Sequence, residues 1–289
     1  MRLLVLGSLV WDTLAGPVEG LEWETTRWVG SMTAGLGGNG GTTAYTFGKL
    51  TGGTAHGVAL LSARGDDAAG HWLEQRLGEA GVDCSYLERL AGATAATVGV
   101  FHPDGRRQLF HHPGVNQEAS FALPGGFDHL HVANPFAMPY VRRHARELLR
   151  EARARGMNTS MDLGWDRLGE WGAVVDPCLP LIDLLLANAE EAVRVPGPYP
   201  CPVIVKRGGE GCTVDGRSVA GFAVETRDST GAGDCFCGAF LAGRARGLSV
   251  VEAARMGNAA GALSVRRAGA TAGLLDWVAM AGWADQFRK

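Results

Sequence analysis

The stretch Asp228-Ser229-Thr230-Gly231-Ala232-Gly233-Asp234 constrains this chain more than any other. It runs directly into a small, apolar, helix-forming segment, residues 235–242. Small residues let a backbone turn tightly and approach a ligand closely. The helix that follows opens with N–H groups that have no intrahelical acceptor and with the positive end of its dipole. Such an opening suits a phosphate, or charge developing on a transferring phosphoryl group. Asp234 at the entrance would repel a bound phosphate. A carboxylate there makes sense as a base that takes a proton from an attacking hydroxyl. Helix capping alone needs one Asp or Ser. It does not need an Asp at each end of the motif and two glycines flanking Ala232.

The motif resembles the C-terminal signature of the ribokinase-like (PfkB-type) carbohydrate kinases, DTxGAGD, with Ser229 where that family commonly has Thr. The resemblance implies that Asp234 is the catalytic base and that Gly231, Ala232 and Gly233 form an anion hole.

Composition excludes several other classes. A net charge of −3 implies no nucleic-acid partner. No apolar run reaches the roughly 20 residues of a membrane helix. The six cysteines form no C-x-x-C pair, so neither a zinc framework nor a dense disulfide framework is expected. Buried thiols in a reducing, cytoplasmic setting are expected instead. The 43 glycines fall singly or in short clusters between apolar runs, which reads as turns and ligand loops.

Residues 2–6 form an apolar run that suits a strand buried on both faces. Gly7 to Asp12 matches the G-x-x-x-x-D opening of the family, and the resemblance implies that Asp12 holds substrate hydroxyls. Trp23, Trp28 and Val29 lie among polar residues in 14–32, read as a β-hairpin. Gly35, Gly37 and Gly40 formally match a dinucleotide fingerprint. That reading is set aside, because no clean buried strand precedes them and no acid follows about twenty residues on. The family's Gly-Gly signature fits better and assigns Gly38, Asn39 and Thr42 to the substrate. Thr42 replaces the family's usual Asn. Asn39 stands where phosphofructokinase-like members carry Lys, which argues for a substrate without phosphate.

Residues 58–61 read as a strand, followed by Gly65, Asp67 and Gly70 and a helix to Leu77; Asp66 and Asp67 are taken as structural. Residues 95–101 and 106–111 read as a hairpin around Asp104-Gly105. The following Pro113-Gly114-Val115-Asn116 resembles the family's P-G-A-N segment, so Asn116 is expected to face the sugar. The histidines at 102, 111, 112, 129 and 131 lack ligand spacing and read as strand and loop residues. From residue 129 to 187 strands at 129–133, 158–163 and 182–187 alternate with helices over 139–155 and 168–175, the mark of parallel βαβ units. Asn188 and Glu191 match the family's N-x-x-E, where the Glu orders water on magnesium. Lys206, Gly208 and Gly211 match a turn along the nucleotide. The helix expected over 250–266 resembles the family's small-residue helix beside the adenine, which implies Asn258 and Ala259 as contacts. The loop 267–270 and Asp228 are placed where many relatives enclose a monovalent cation. A helix over 274–287 closes the chain.

These readings predict a single domain over 1–289. Its fold class is α/β, a three-layer, doubly wound, mostly parallel sheet with a small β lid over 14–33 and 94–112. The lack of G-x-x-x-x-G-K-[ST] excludes a P-loop kinase. The resemblance implies ATP, Mg2+ and K+ as cofactors, a small sugar as substrate and a homodimer through the lid. A nucleoside kinase, a non-catalytic sugar-binding relative and, third, an NAD-dependent oxidoreductase are the alternatives.

Overall fold

The computed structural model describes residues 1–104 and 106–287. In chain order the strands are β1 (Arg2–Gly7), β2 (Val10–Gly16), β3 (Ser31–Gly37), β4 (Gly57–Gly65), β5 (Val82–Asp83), β6 (Leu87–Leu90), β7 (Ala96–Phe101) and β8 (Arg107–His112). They continue with β9 (His129–Ala133), β10 (Asn158–Asp162), β11 (Leu184–Asn188), β12 (Val203–Lys206), β13 (Gly211–Val214) and β14 (Arg217–Ala220). The helices are α1 (Asn39–Thr51), α2 (Ala68–Glu79), α3 (Pro139–Ala154), α4 (Trp171–Val175), α5 (Ala189–Arg194), α6 (Ala232–Ala245), α7 (Val250–Ser264) and α8 (Trp277–Asp285).

Among the described residues, ten strands form one sheet in the order β14-β13-β12-β11-β10-β9-β1-β4-β5, with β6 also paired to β4. From β12 to β5 every pair is parallel; β13 and β14 add an antiparallel edge. Strand β1 divides its side chains between two cores. Leu3 and Val5 meet the layer of α1, α6 and α7, and Leu4 and Leu6 meet the layer of α3. This alternation is what a strand covered on both faces requires. The result is three layers, helices on both faces of a doubly wound sheet.

Strands β3-β2-β7-β8 form a separate small sheet, the lid. Its second pair falls within the expected 94–112; Gly105 of the expected turn lies outside the described residues. Its first pair is wider than the expected 14–33. The antiparallel pairing runs from Gly16 opposite Ser31 to Val10 opposite Gly37. Asp12 therefore lies inside a lid strand. Pairing stops where Gly38 takes φ 81°, a left-handed turn that favours glycine, and α1 begins. A strand thus does precede the glycine cluster, but it is a largely exposed antiparallel lid strand, unlike the buried parallel strand of a dinucleotide site.

Two helices are shorter than expected. The segment 168–175 is helical only over Trp171–Val175, because the Asp166 carboxylate takes the N–H groups of Leu168 and Glu170 and holds them in a turn. The last helix starts at Trp277, where Asp276 caps it by accepting the Ala279 N–H at 2.9 Å.

Asp67 ties the lid to the main body. It accepts the Gly70 N–H at 2.8 Å as the N-cap of α2, and the Thr94 N–H and hydroxyl at 2.8 and 2.5 Å. Burial opposes its charge, but these bonds outweigh it and hold its pKa below the usual value. Asp67→Ala is expected to cost about 2 kcal/mol in urea unfolding, the upper range for a lost cap. Because the folded pKa is depressed, this stabilisation is present above 3.8 and is lost as pH falls through the folded value.

Candidate active site

Open α/β sheets bind ligands beyond the carboxyl ends of their strands, where strand order reverses. Here the order reverses at β1, with β4 on one side and β9 on the other. Asp162 closes β10, Asn188 closes β11 and Lys206 closes β12. Above them lies a cleft of about 700 Å³ that these three residues line together with Asn39, Glu191 and Asp234.

Asp234 sits in the first turn of α6, whose N-cap Gly231 has φ 69°. The first carbonyl accepted within this helix is that of Gly231, from the Cys235 N–H at 2.9 Å. The N–H groups of Gly233 and Asp234 precede it and have no acceptor within the helix, and both residues line the cleft. A Cβ on Gly231 would stand 2.4 Å from the Ala270 Cβ, so the turn admits no side chain. Asp234 Oδ1 accepts from Asn39 Nδ2 at 2.9 Å. Burial and then the charge of Asp162 push the Asp234 pKa up to about 6, against the Asn39 bond and Lys206.

Lys206 Nζ donates to both oxygens of Asp162, at 2.6 and 2.8 Å. Burial presses on this ammonium, but the Asp162 charge outweighs it and holds the lysine pKa above its ordinary value. The sequence places Lys206 along the nucleotide and leaves its partner Asp162 unmarked; the signal for Asp162 is a carboxylate closing a buried strand. Glu191 and Asn188 form a capping box, with Glu191 N–H on Asn188 Oδ1 and Asn188 N–H on Glu191 Oε2, each at 2.8 Å. Only 5% of Glu191 is exposed, and burial followed by the Asp162 charge raises its pKa to about 7.

Asp12 is buried on the lid, where burial lifts its pKa to about 6, aided by the charges of Asp228 and Asp234 and opposed by a Thr97 hydrogen bond. Gly37 leaves room for it: a Cβ there would meet Asp12 Oδ2 at 2.0 Å. From lid strand β8, Arg107 donates to Ser229 Oγ and Thr230 Oγ1 at 3.1 and 3.2 Å and lines the cleft. Sequence reasoning missed this link too.

Other expected site residues fall elsewhere. Thr42 and Asn116 are almost fully buried and do not line the cleft. Thr42 Oγ1 and Asn116 Oδ1 have no partner among the described residues, while Asn116 Nδ2 donates to the Leu9 carbonyl at 3.3 Å. Ala259 is fully buried in the core and does not line the cleft; Asn258, Gly261 and Ala262 of the same helix line it instead. Asn258 donates to the carbonyls of Val219 and Ala220, both at 3.1 Å. Asp228 accepts the N–H groups of Thr230 and Gly269 at 2.9 and 2.8 Å, tying the two loops together. His129 and His131 share Ser160 Oγ at 2.7 and 2.8 Å on β9 and β10.

The residues present fit a nucleotide with magnesium. Gly208 and Gly211 take φ of 57° and 97°, and a Cβ on Gly211 would meet the Val219 carbonyl at 2.2 Å, so this wall is bare backbone. Glu191 sits in a carboxylate-rich setting that a divalent cation would relieve. Among the described residues no cluster of three or more His, Cys, Asp or Glu is arranged to hold a metal directly. Glu191 would therefore act through water, as magnesium, which dehydrates reluctantly, allows.

A doubly wound sheet, a β lid and a glycine-rich helix start facing a charged cleft define an α/β kinase built without a P-loop. The profile of the pfkB family of carbohydrate kinases matches residues 1–277. The chain belongs to that family and is a kinase. It is 29% identical over 255 residues to fructoselysine 6-kinase of Shigella flexneri, covering 76% of this chain and 92% of the relative. It is 28% identical over 249 residues to the ATP-dependent ribose-1-phosphate kinase of Halopiger xanaduensis, covering 80% and 82%. The fold superposes with TM-score 0.81 on Burkholderia thailandensis nucleoside kinase in complex with inosine, at 20% identity and 98% coverage of each chain. It matches Arabidopsis thaliana ribokinase complexed with ribose and ATP with TM-score 0.79, at 22% identity and 98% coverage of each.

The Lys206–Asp162 pair makes a stability prediction. Lys206→Met leaves a buried carboxylate without its partner and is expected to cost about 3 kcal/mol in chemical denaturation. Lys206→Met combined with Asp162→Asn is expected to recover most of that loss. A single variant as stable as the parent would show that the pair carries no such compensation.

Proposed function

We propose that this kinase transfers the terminal phosphoryl group of ATP to a hydroxyl of a small sugar or sugar-like molecule, with Asp234 as the base. One observation carries the reading: a carboxylate with one oxygen held by Asn39 stands at a helix start whose free N–H groups face the same cleft. Asp12 on the lid, near enough to feel the charge of Asp234, and Asn39 on α1, bonded to Asp234, serve as the substrate-side groups. Gly38 contributes backbone, and Thr42 and Asn116, buried away from the cleft, are given no contact with substrate. The substrate oxygen attacks the phosphorus in line, the bond to the bridging oxygen of ADP breaks, and the substrate proton passes to Asp234. A loose transition state needs that proton removed late. The N–H groups of the Gly231–Gly233 turn meet the transferring charge, an effect worth about 3 kcal/mol per well-placed donor. Glu191 would hold magnesium through water, and the ion, when bound, would supply neutralisation of charge on the phosphates. Arg107 closes the lid onto Ser229 and Thr230, which excludes water as a competing acceptor. Asp228 is given no step in transfer; it ties the loop at Gly269 and retains lone pairs for a potassium ion.

The lid's outer face supports a homodimer. Val98 and Phe110 lie opposite each other in the register of β7 and β8 and are 49% and 54% exposed, with Met32 on the same face. Phe110→Glu is expected to halve the mass measured by light scattering; a mass equal to one chain in the parent protein would exclude the dimer.

The decisive assay is ADP release from Mg-ATP against sugars, sugar acids and nucleosides. Turnover with one acceptor is expected, reduced at least ~100-fold in Asp234→Asn with ATP binding retained. Asp234 must be ionised to accept the proton, so kcat is expected to fall as pH drops through about 6. A nucleoside as sole acceptor selects the nucleoside-kinase alternative. Binding of a sugar without any turnover selects the non-catalytic one.

A further inference from the structure

Asn134 follows β9 directly, at the point where strand order reverses. It takes φ 63°, a left-handed conformation that non-glycine residues rarely adopt and that Asn tolerates best. Its backbone N–H donates to the Asp162 carbonyl at 2.9 Å. Its side chain sits between two neighbours. Asn134 Oδ1 accepts the Phe136 N–H at 2.9 Å, and Asn134 Nδ2 donates to Asn39 Oδ1 at 3.1 Å. Asn39 Nδ2 then donates to Asp234 Oδ1 at 2.9 Å.

This chain of bonds has only one possible direction. Residue 135 is proline, so the Phe136 N–H is the first backbone donor after Asn134. A backbone N–H only donates, which makes Asn134 Oδ1 the acceptor and Nδ2 the donor. The same logic passes through Asn39 and ends on an ionised carboxylate, which only accepts. Both amides are consequently held in one orientation, and Asp234 keeps its other oxygen for the substrate. The surroundings are shaped for this. A Cβ on Gly164 would stand 2.4 Å from Asn134 Cγ, so only glycine leaves space for the amide. A Cβ on Gly40 would stand 2.6 Å from the Gly7 carbonyl carbon, so α1 starts directly on the end of β1 and brings Asn39 within reach.

We propose that Asn134 is a positioning residue for phosphoryl transfer: through Asn39 it fixes the orientation of the Asp234 carboxylate and favours its ionised form. The proposal rests on the reading of Asp234 as the base. It also gives Asn39 a second task, since both polar ends of its side chain are engaged before a sugar arrives. The other ionisable groups around Asp234 are Asp162 from β10, Lys206 from β12, Glu191 from α5 and Asp12 from the lid strand β2. Cys235 and Cys237 on α6 complete the set, with thiol pKa values that burial raises far above neutrality. Asp162 meets Asn134 through backbone atoms alone, and none of these side chains bonds the Asn134 amide, so loss of the amide should act on Asp234 through Asn39.

Two variants separate the relay from the backbone role. Asn134→Gly removes the amide and suits the left-handed φ. Asn134→Asp keeps the shape and offers Asn39 no N–H. Both are expected to lower kcat about 10-fold, the scale of a slightly misplaced catalytic group. In both, the acid limb of the kcat–pH profile should move to higher pH, because the ionised carboxylate loses a fixed donor, while KM for ATP stays unchanged. In an Asn39→Ala background, adding Asn134→Gly should produce no further loss. Parent-like kcat and acid limb in either variant, or a full independent loss in the double variant, would overturn the relay. Reduced kcat with an unmoved acid limb would reduce Asn134 to a structural role and would overturn it equally. Asp234→Asn in the same assay keeps the two readings apart. Its loss of turnover beside an unaffected Asn134→Gly sinks the relay alone, and its retained turnover sinks the base assignment.

Discussion

Three carboxylates converge on one partly dry cleft, and a single ammonium makes that tolerable. Asp162, Glu191 and Asp234 would repel one another at the ends of β10, α5 and α6, and burial alone drives the last two toward protonation. Lys206 answers with two short bonds to Asp162. Its strand pairs in parallel with β11, with Lys206 opposite Asn188, two positions beyond the row of Asp162. The long side chain spans that offset. What remains uncompensated is available to a divalent cation and to a proton in transit, so the charge arrangement that keeps the fold intact also sets up the chemistry.

The helix starts convert the charge cluster into a directional site. α1 and α6 pack closely, with Gly238 of α6 so near α1 that a Cβ would meet the Thr43 carbonyl at 2.6 Å. Thr43 Oγ1 reaches the Asp234 carbonyl at 3.3 Å. The two N-termini therefore move as one body, with Asn39 at one and Asp234 at the other. The lid adds Asp12 from above and Arg107 from the side, and Asp67 anchors it through Thr94. Asp234 is thus held by residues of α1 and not by the lid.

Much of this was legible in the chain itself. The buried strand at residues 2–6, the parallel alternation from residue 129, the lid hairpins and the glycine-rich helix start all follow from local pattern. Glu191 is instructive because N-x-x-E is also an ordinary helix-capping pattern: the residue forms a capping box with Asn188 and lines the cleft as well. Where reading failed, the failure was one of distance along the chain or of facing. The resemblance made Ala259 a contact together with Asn258, but one step along a helix turns a side chain by about 100°, and Ala259 points into the core.

The sequence by itself determined the class of fold, the family and the position of the candidate base, because glycine turns, caps and apolar periodicity act over a few residues and leave a local imprint. Only the tertiary structure decided who holds whom. Lys206 meets Asp162 across 44 residues, Asn134 meets Asn39 across 95, and Asn39 meets Asp234 across 195. Such pairs carry no spacing signal. They exist because parallel strands end at one edge of the sheet and because bare glycine backbone lets α1 and α6 start within hydrogen-bond reach of that edge.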